Sequence, residues 1–268
     1  MTGHTEAASG ETPAPQTLVD IVFPGDTNHH GTLFGGAALA LMDRIAFIVA
    51  TRHGRIPFVT ASCDRIDFRA PARIGQIVSF SGRPVRVGRR SMVVDVEMVA
   101  ENLATGGRDL CSRGRFTMVG MPQDKGADWR LPPLAEPAPV VPEAVVPAAD
   151  FVGMTDIVFP GQTNSAGALF GGDALAQMTK AAFVAATRLT GKAMVLASCS
   201  SDFKRRVAAG TIVDTLARVT RTGRSSTTIE VELWSEELLS GVRVLTVTGT
   251  FVMVAVDSRN RPVAAFAA

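Results

Sequence analysis

Cysteine is scarce, net charge is close to zero, and no long uncharged apolar run occurs. Each shortage removes a class of protein. The 268 residues contain 3 cysteines, Cys63, Cys111 and Cys199. An odd number with no C-x-x-C or Cys/His spacing gives neither a disulfide framework nor a zinc site. A reducing cytoplasm suits such a chain. Lys+Arg 27 against Asp+Glu 25 leaves a formal charge of +2, too balanced to draw in nucleic acid or a membrane surface by bulk electrostatics. The longest apolar stretches, GGAALALM and AFIVA, are separated by Asp43 and Arg44, and the polar start lacks a basic region. A transmembrane span and a signal peptide are therefore not expected.

What is present is a duplication. Sliding the chain by 136 positions lays DIVFPGDTNHHGTLFGG (20–36) on DIVFPGQTNSAGALFGG (156–172), with 13 of 17 positions identical. The match continues through ASCDRIDF over ASCSSDF, RVGRRS over RTGRSS and GRFTMVG over GTFVMVA. Each repeat is thus a whole domain, predicted at 17–121 and 153–268. Prolines crowd residues 122–152, which read as a linker, and the Pro- and polar-rich residues 1–16 read as a disordered tail.

Within each repeat an extended piece ending at VFP leads through a loop into a helix, predicted in the first copy from Gly35 to about Arg52. Strands are predicted at 57–68, 76–86, 91–101 and 108–120, with turns at NLATGG and, in the second copy, ELLSG. Ala37 to Ala50 is apolar nearly all the way round, apart from Asp43 and Arg44, so the helix is expected to be wrapped by its own sheet. The fold class is α+β: an antiparallel sheet around a central helix, once per repeat. Cys63 and Cys199, in matching ASC triplets, are expected to be buried apolar residues of equivalent strands.

Asn28, Gly31, the Gly35-Gly36 pair and Met42-Asp43 form a motif that resembles the hotdog-fold acyl-CoA thioesterases, specifically their acyl-CoA hydrolase branch. The resemblance covers both repeats. It implies two hotdog domains in one chain forming an intrachain pseudo-dimer, their sheets joined into one long sheet. It further implies hydrolysis of acyl-CoA to free acid and coenzyme A, with no cofactor beyond the coenzyme A of the substrate. Active sites would lie between the hotdogs, each taking a loop and helix start from one and the helix acid from the other. Further association is implied too, as trimers of double-hotdog chains.

Physical chemistry points the same way. A carboxylate on an apolar helix, with Leu39, Ala40, Ala46 and Phe47 around it, is costly unless it faces a cleft. A Gly-Gly pair opening a helix offers free N–H groups at the positive end of the macrodipole, which suits a carbonyl oxygen gathering charge. Asp43 would then act as general base or as nucleophile, alternatives the sequence leaves open.

The repeats differ where chemistry is concentrated. One site would combine Asp43 with Asn164 and the Gly171 amide, beside Gly172. The other would combine Asn28 and Gly35 with Thr179 in place of the acid, which makes it degenerate. Arg89, Arg224, Ser225 and Ser226, just ahead of a strand, are candidates for the coenzyme A phosphates. His29 and His30 are replaced by Ser165 and Ala166 in the second copy and read as loop residues, which argues against a histidine-dependent dehydratase. The rival reading is a non-catalytic acyl-CoA-binding or sensing module; a sensor would ordinarily carry a DNA-binding or signalling domain, and none is expected in the linker or tail.

Overall fold

The computed structural model describes residues 16–64, 66–103, 105–122, 129–134 and 150–266. The predicted tail up to residue 15 and most of the predicted linker fall outside that set, and Gln16, predicted as the last tail residue, opens the first strand. The first repeat runs β1 (Gln16–Ile21), α1 (Gly35–Gly54), β2 (Phe58–Cys63), β3 (Asp67–Phe68), β4 (Ile77–Val87), β5 (Ser91–Glu101) and β6 (Arg108–Gly120). The second runs β7 (Phe151–Ile157), α2 (Gly171–Thr190), β8 (Met194–Phe203), β9 (Ile212–Thr222), β10 (Ser226–Glu236) and β11 (Arg243–Ala255). Strand β7 starts at Phe151, two residues inside the stretch predicted as linker.

The sheet orders are β1-β4-β5-β6-β2, with β3 also on β6, and β7-β9-β10-β11-β8. Every pairing is antiparallel. The expected single long sheet is corrected here: hydrogen bonding defines two sheets, whose edge strands β1 and β7 lie side by side. Helix α2 closes on Gly191 at φ 61°, the left-handed geometry that glycine adopts at little cost. Helix α1 ends the same way on Arg55 at φ 49°, where an ion pair with Glu236 holds the side chain.

The two repeats share their cores across a pseudo-two-fold axis. Ile77 is buried in the second repeat's apolar cluster, and its equivalent Ile212 in the first's. Ion pairs follow the same symmetry: Arg44 with Asp156 and Lys180 with Asp20, then Arg52 with Asp214 and Glu236, and Arg188 with Glu101. Burying Ile45, Ile48 and Val49 on α1 stabilises the fold by roughly 1.5–3 kcal/mol per side chain.

Each sheet wraps its helix as expected, but not along the whole of its length. The C-terminal half of α1 is buried from Ile45 to Thr51 except for Phe47, while Gly36, Leu39 and Ala40 are exposed and Asp43 is half-exposed. One line of the N-terminal half is left open, and the acid ends it. Strands β2 and β8 lie at sheet edges and are exposed beyond their first residues. Cys63 and Cys199 are consequently exposed, against expectation, and only Cys111 is buried among the three.

Residues 129–134 form a strap rather than a free tether. The Leu131 N–H bonds the Arg89 carbonyl at 2.9 Å, its side chain is buried against Phe58 and Gly54, and His53 Nε2 meets the Pro132 carbonyl at 2.7 Å. In the second repeat Ala265 makes the equivalent bond to the Arg224 carbonyl at 2.8 Å.

Candidate active site

Phe34 and Phe170 precede the helices in extended conformation, and neither offers a side-chain cap. The N–H groups of Gly35, Gly36, Gly171 and Gly172 therefore keep the orphan status of a helix start. A Cβ on Gly36 would fall 2.5 Å from the Phe34 ring, and one on Gly172 2.8 Å from the Phe170 ring. Any larger residue would push the ring aside.

The preceding loops are built alike. Asn28 Oδ1 accepts the N–H of His30 at 2.9 Å and of Thr32 at 3.3 Å; Asn164 Oδ1 accepts those of Ala166 at 2.9 Å and Ala168 at 3.2 Å. Both asparagines thus act as turn formers through their oxygens. Their amide nitrogens differ. Asn28 Nδ2 donates to the Thr32 hydroxyl at 3.0 Å, whereas alanine at the equivalent position 168 leaves Asn164 Nδ2 without a partner among the described residues. Asn164 is also exposed, while Asn28 is half-buried. Among the described residues the Asn164 amide thus keeps both of its N–H donors uncommitted, whereas Asn28 spends one of its two on Thr32.

Asp43 has a partner that sequence reasoning missed: the Thr60 hydroxyl on β2 donates to Asp43 Oδ1 at 2.6 Å. The same hydroxyl lies 3.7 Å from Met118 Sδ. In the second repeat, Leu196 stands where Thr60 does and Thr179 where Asp43 does. A signal was available, since V-x-ASC differs between the copies at only that position within the pentapeptide.

Contact between repeats brings the acid's helix to the opposite loop. Arg44, adjacent to Asp43, donates through Nη1 to both Asp156 oxygens at 3.1 and 3.3 Å, and its guanidinium lies 4.8 Å from the centre of the Phe159 ring. Phe159 opens the loop that carries Asn164 and leads to Gly171. Burial pushes the Asp156 carboxyl above its ordinary range, with Arg44, the Ile157 amide and Lys180 pulling the other way.

Arg89, Arg224, Ser225 and Ser226 occupy the tips of the β4–β5 and β9–β10 hairpins. The carbonyls of Arg89, Arg224 and Ser225 accept the N–H groups of Leu131, Ala265 and Ala255, and that of Ser226 accepts the Gly223 N–H within the hairpin; Leu131 lies beside Gly54, at the C-terminal end of α1. His29 and His30 are exposed, with ring centroids 3.8 Å apart and ring planes tilted by 45°. Among the described residues no cluster of His, Cys, Asp and Glu is arranged to hold a metal, and no helix is long and apolar enough to cross a membrane.

Comparison with known proteins gives this geometry a family. The profile of the Thioesterase superfamily matches residues 30–106 and 166–242. The crystal structure of an acyl-CoA hydrolase from Agrobacterium tumefaciens is 57% identical, covers 94% of this chain and 97% of that one, and superposes with a TM-score of 0.82. An uncharacterized acyl-CoA thioester hydrolase of Bacillus subtilis, YkhA, is 43% identical over 100 residues, 37% of this chain and 58% of that protein. The human cytosolic acyl coenzyme A thioester hydrolase is 34% identical over 110 residues, 40% of this chain and 29% of that one. This chain therefore matches little more than half the length of the Bacillus protein and less than a third of the human one. With a family domain in each repeat and the hotdog arrangement of sheet and helix in both, the chain belongs to the Thioesterase superfamily.

Proposed function

We propose that the chain hydrolyses acyl-CoA thioesters to free acid and coenzyme A, at one working site per chain. The site joins Asp43 of α1 to Asn164 and the Gly171 amide of the other repeat. The observation that carries this reading is a matched asymmetry: the hydrogen-bonded Asp43–Thr60 pair belongs to one repeat and the uncommitted Asn164 amide to the other. The Arg44 contact supports placing the two halves side by side.

In this site the Asn164 Nδ2 and the Gly171 N–H donate to the thioester oxygen as it gains charge, helped by the helix dipole. Thr60 holds one Asp43 oxygen and leaves the other for chemistry. That oxygen either takes a proton from the attacking water or attacks the acyl carbon to give a mixed anhydride, which water then cleaves. In both routes the C–S bond breaks, the acyl group ends as a carboxylic acid, and the coenzyme A sulfur leaves as thiol. Thr179 and Leu196 supply neither base nor hydroxyl in the right place, so the site built on Asn28 and Gly35 is not hydrolytic.

For the phosphates of coenzyme A we assign Arg89 and Arg224 with Ser225 and Ser226, whose guanidinium and hydroxyl groups suit phosphate oxygens. Association into trimers of chains is supported by the apolar surface left open on both repeats, from Phe34, Val59 and Phe68 to Phe170, Val195 and Phe203. Three free cysteines fit the reducing cytoplasm as its compartment.

The deciding experiment follows thiol release from acyl-CoAs of short, medium and long chain. Turnover of any of them supports the hydrolase. Binding without turnover across the whole panel assigns the chain to the non-catalytic acyl-CoA-binding class instead.

A further inference from the structure

We propose that Arg44 is the positioning residue of the working site, setting the distance between the acid's helix and the opposite loop. This inference rests on the cross-repeat site proposed above. Successive helix residues point about 100° apart, so Arg44 can reach across to the second repeat while Asp43 faces the open line of α1.

Arg44 grips the second repeat at two points that bracket a strand-to-loop junction. Its Nη1 bonds both oxygens of Asp156, near the end of β7, and its guanidinium lies over Phe159 three residues later. Asp156 is itself fixed to the backbone, accepting the Ile157 N–H at 2.8 Å. Beyond Phe159 the loop is internally braced. Gln162 Oε1 accepts the Phe159 N–H at 2.9 Å, the Thr163 hydroxyl donates to the Pro160 carbonyl at 2.7 Å, and the Phe170 N–H returns to the Gln162 carbonyl at 2.8 Å. A braced loop moves as a unit. Wherever Arg44 holds Phe159, Asn164 and the start of α2 are carried along.

The pseudo-symmetric partner is Lys180, which makes a single 2.5 Å contact with Asp20 and has no aromatic ring beneath it among the described residues. An ammonium is a point charge, whereas a guanidinium is planar, bonds a carboxylate and stacks on a ring together. The two-point grip thus occurs only beside the acid, and the degenerate site has the simpler pair. A merely structural ion pair would have no reason to follow that division.

The symmetry supplies its own control. Arg44→Met and Lys180→Met each keep an apolar stem and delete one of two equivalent inter-repeat ion pairs. Both variants, with Arg44→Lys, are assayed for kcat, KM and melting temperature. We expect Arg44→Met to lower kcat by about tenfold or more, as displacement of a reacting group does. Lys180→Met should stay within about twofold of the parent at a comparable melting shift, and Arg44→Lys should recover part of the lost kcat. Equal kcat losses in the two Met variants, or an unchanged kcat in Arg44→Met, overturn the inference. Asp43→Asn in the same series separates the two readings. If it abolishes turnover while the Met variants behave alike, only the role of Arg44 falls; if it retains turnover, the site itself is wrong.

Discussion

Thr60 Oγ1 lies 2.6 Å from Asp43 Oδ1, and at the two equivalent positions of the second repeat stand Leu196 and Thr179. Acid and anchor are present together or absent together. Replacing Asp43 by Asn preserves volume and can still accept the Thr60 hydrogen bond while removing the base. We expect turnover to fall roughly 10²-fold or more, with the melting temperature little changed because the side chain is half-exposed. Thr60→Val should lower turnover less, by about tenfold, since it releases the carboxylate without deleting it. Full activity in Asp43→Asn, with an intact melting transition, would make the acid structural.

Asparagine substitutions test which loop faces the acid. Asn164→Ala should impair thiol release strongly, by about 10²-fold as for loss of an oxyanion donor. Asn28→Ala should act mainly on stability, because its side chain makes four contacts within its own loop. The opposite ranking of the two in a kcat assay would place loop and acid in the same repeat.

The degenerate site can be rebuilt on paper and therefore in the protein. Thr179→Asp and Leu196→Thr restore the acid and its anchor, and Thr32→Ala frees the Asn28 amide as Ala168 frees that of Asn164. Introduced together into Asp43→Asn, these changes should raise turnover about tenfold or more above that single variant. No recovery in a folded protein would show that the second site lacks more than its acid, its anchor and a free amide.

Acidity should act on the inter-repeat contact in an unusual direction. Burial raises the Asp156 carboxyl above its ordinary 3.8, so the folded chain binds this proton more tightly than the unfolded chain does. Its contribution to stability is fully present below 3.8 and is lost as pH rises through the folded value. Compared by urea denaturation at neutral pH and near pH 4.5, the parent should gain on Asp156→Asn at the lower pH. A loss there would mean that the Arg44 pairing outweighs burial.

Light scattering measures the assembly directly. A mass three times that of the 28.2 kDa chain is expected, and Val59→Lys with Val195→Lys should reduce it towards one chain by charging both exposed edge strands. A parent mass near 28.2 kDa rejects the trimer.

Much of this was legible in the sequence because the signals are local. The Gly35-Gly36 pair fixed the start of α1, and alternation with intervening turns located β5 at 91–101 and β6 at 108–120 to the residue. The exposure of Cys63 and Cys199 was not legible. It depends on which strands end up at the sheet edges, a property of strand order that no single stretch encodes. Thr60 was missed for a related reason: it reaches Asp43 across a strand-to-helix contact 17 residues apart in the chain. The ion pairs of Arg44 and Lys180 join residues more than a hundred positions apart and needed the docked repeats to be seen at all.

Ile77 and Ile212 each complete the other repeat's core, and that exchange changes what a substitution can do. In a pair of identical halves every replacement strikes both clefts at once, so a lost acid silences both. Two unlike halves on a single chain escape this arithmetic, since covalent union guarantees that each meets its complement and never its own kind. Position 179 can then dispense with its carboxylate and position 32 can keep a threonine that ties up Asn28, without cost to the cleft holding Asp43. In the site proposed here each half is a specialist, and neither is a complete catalyst alone.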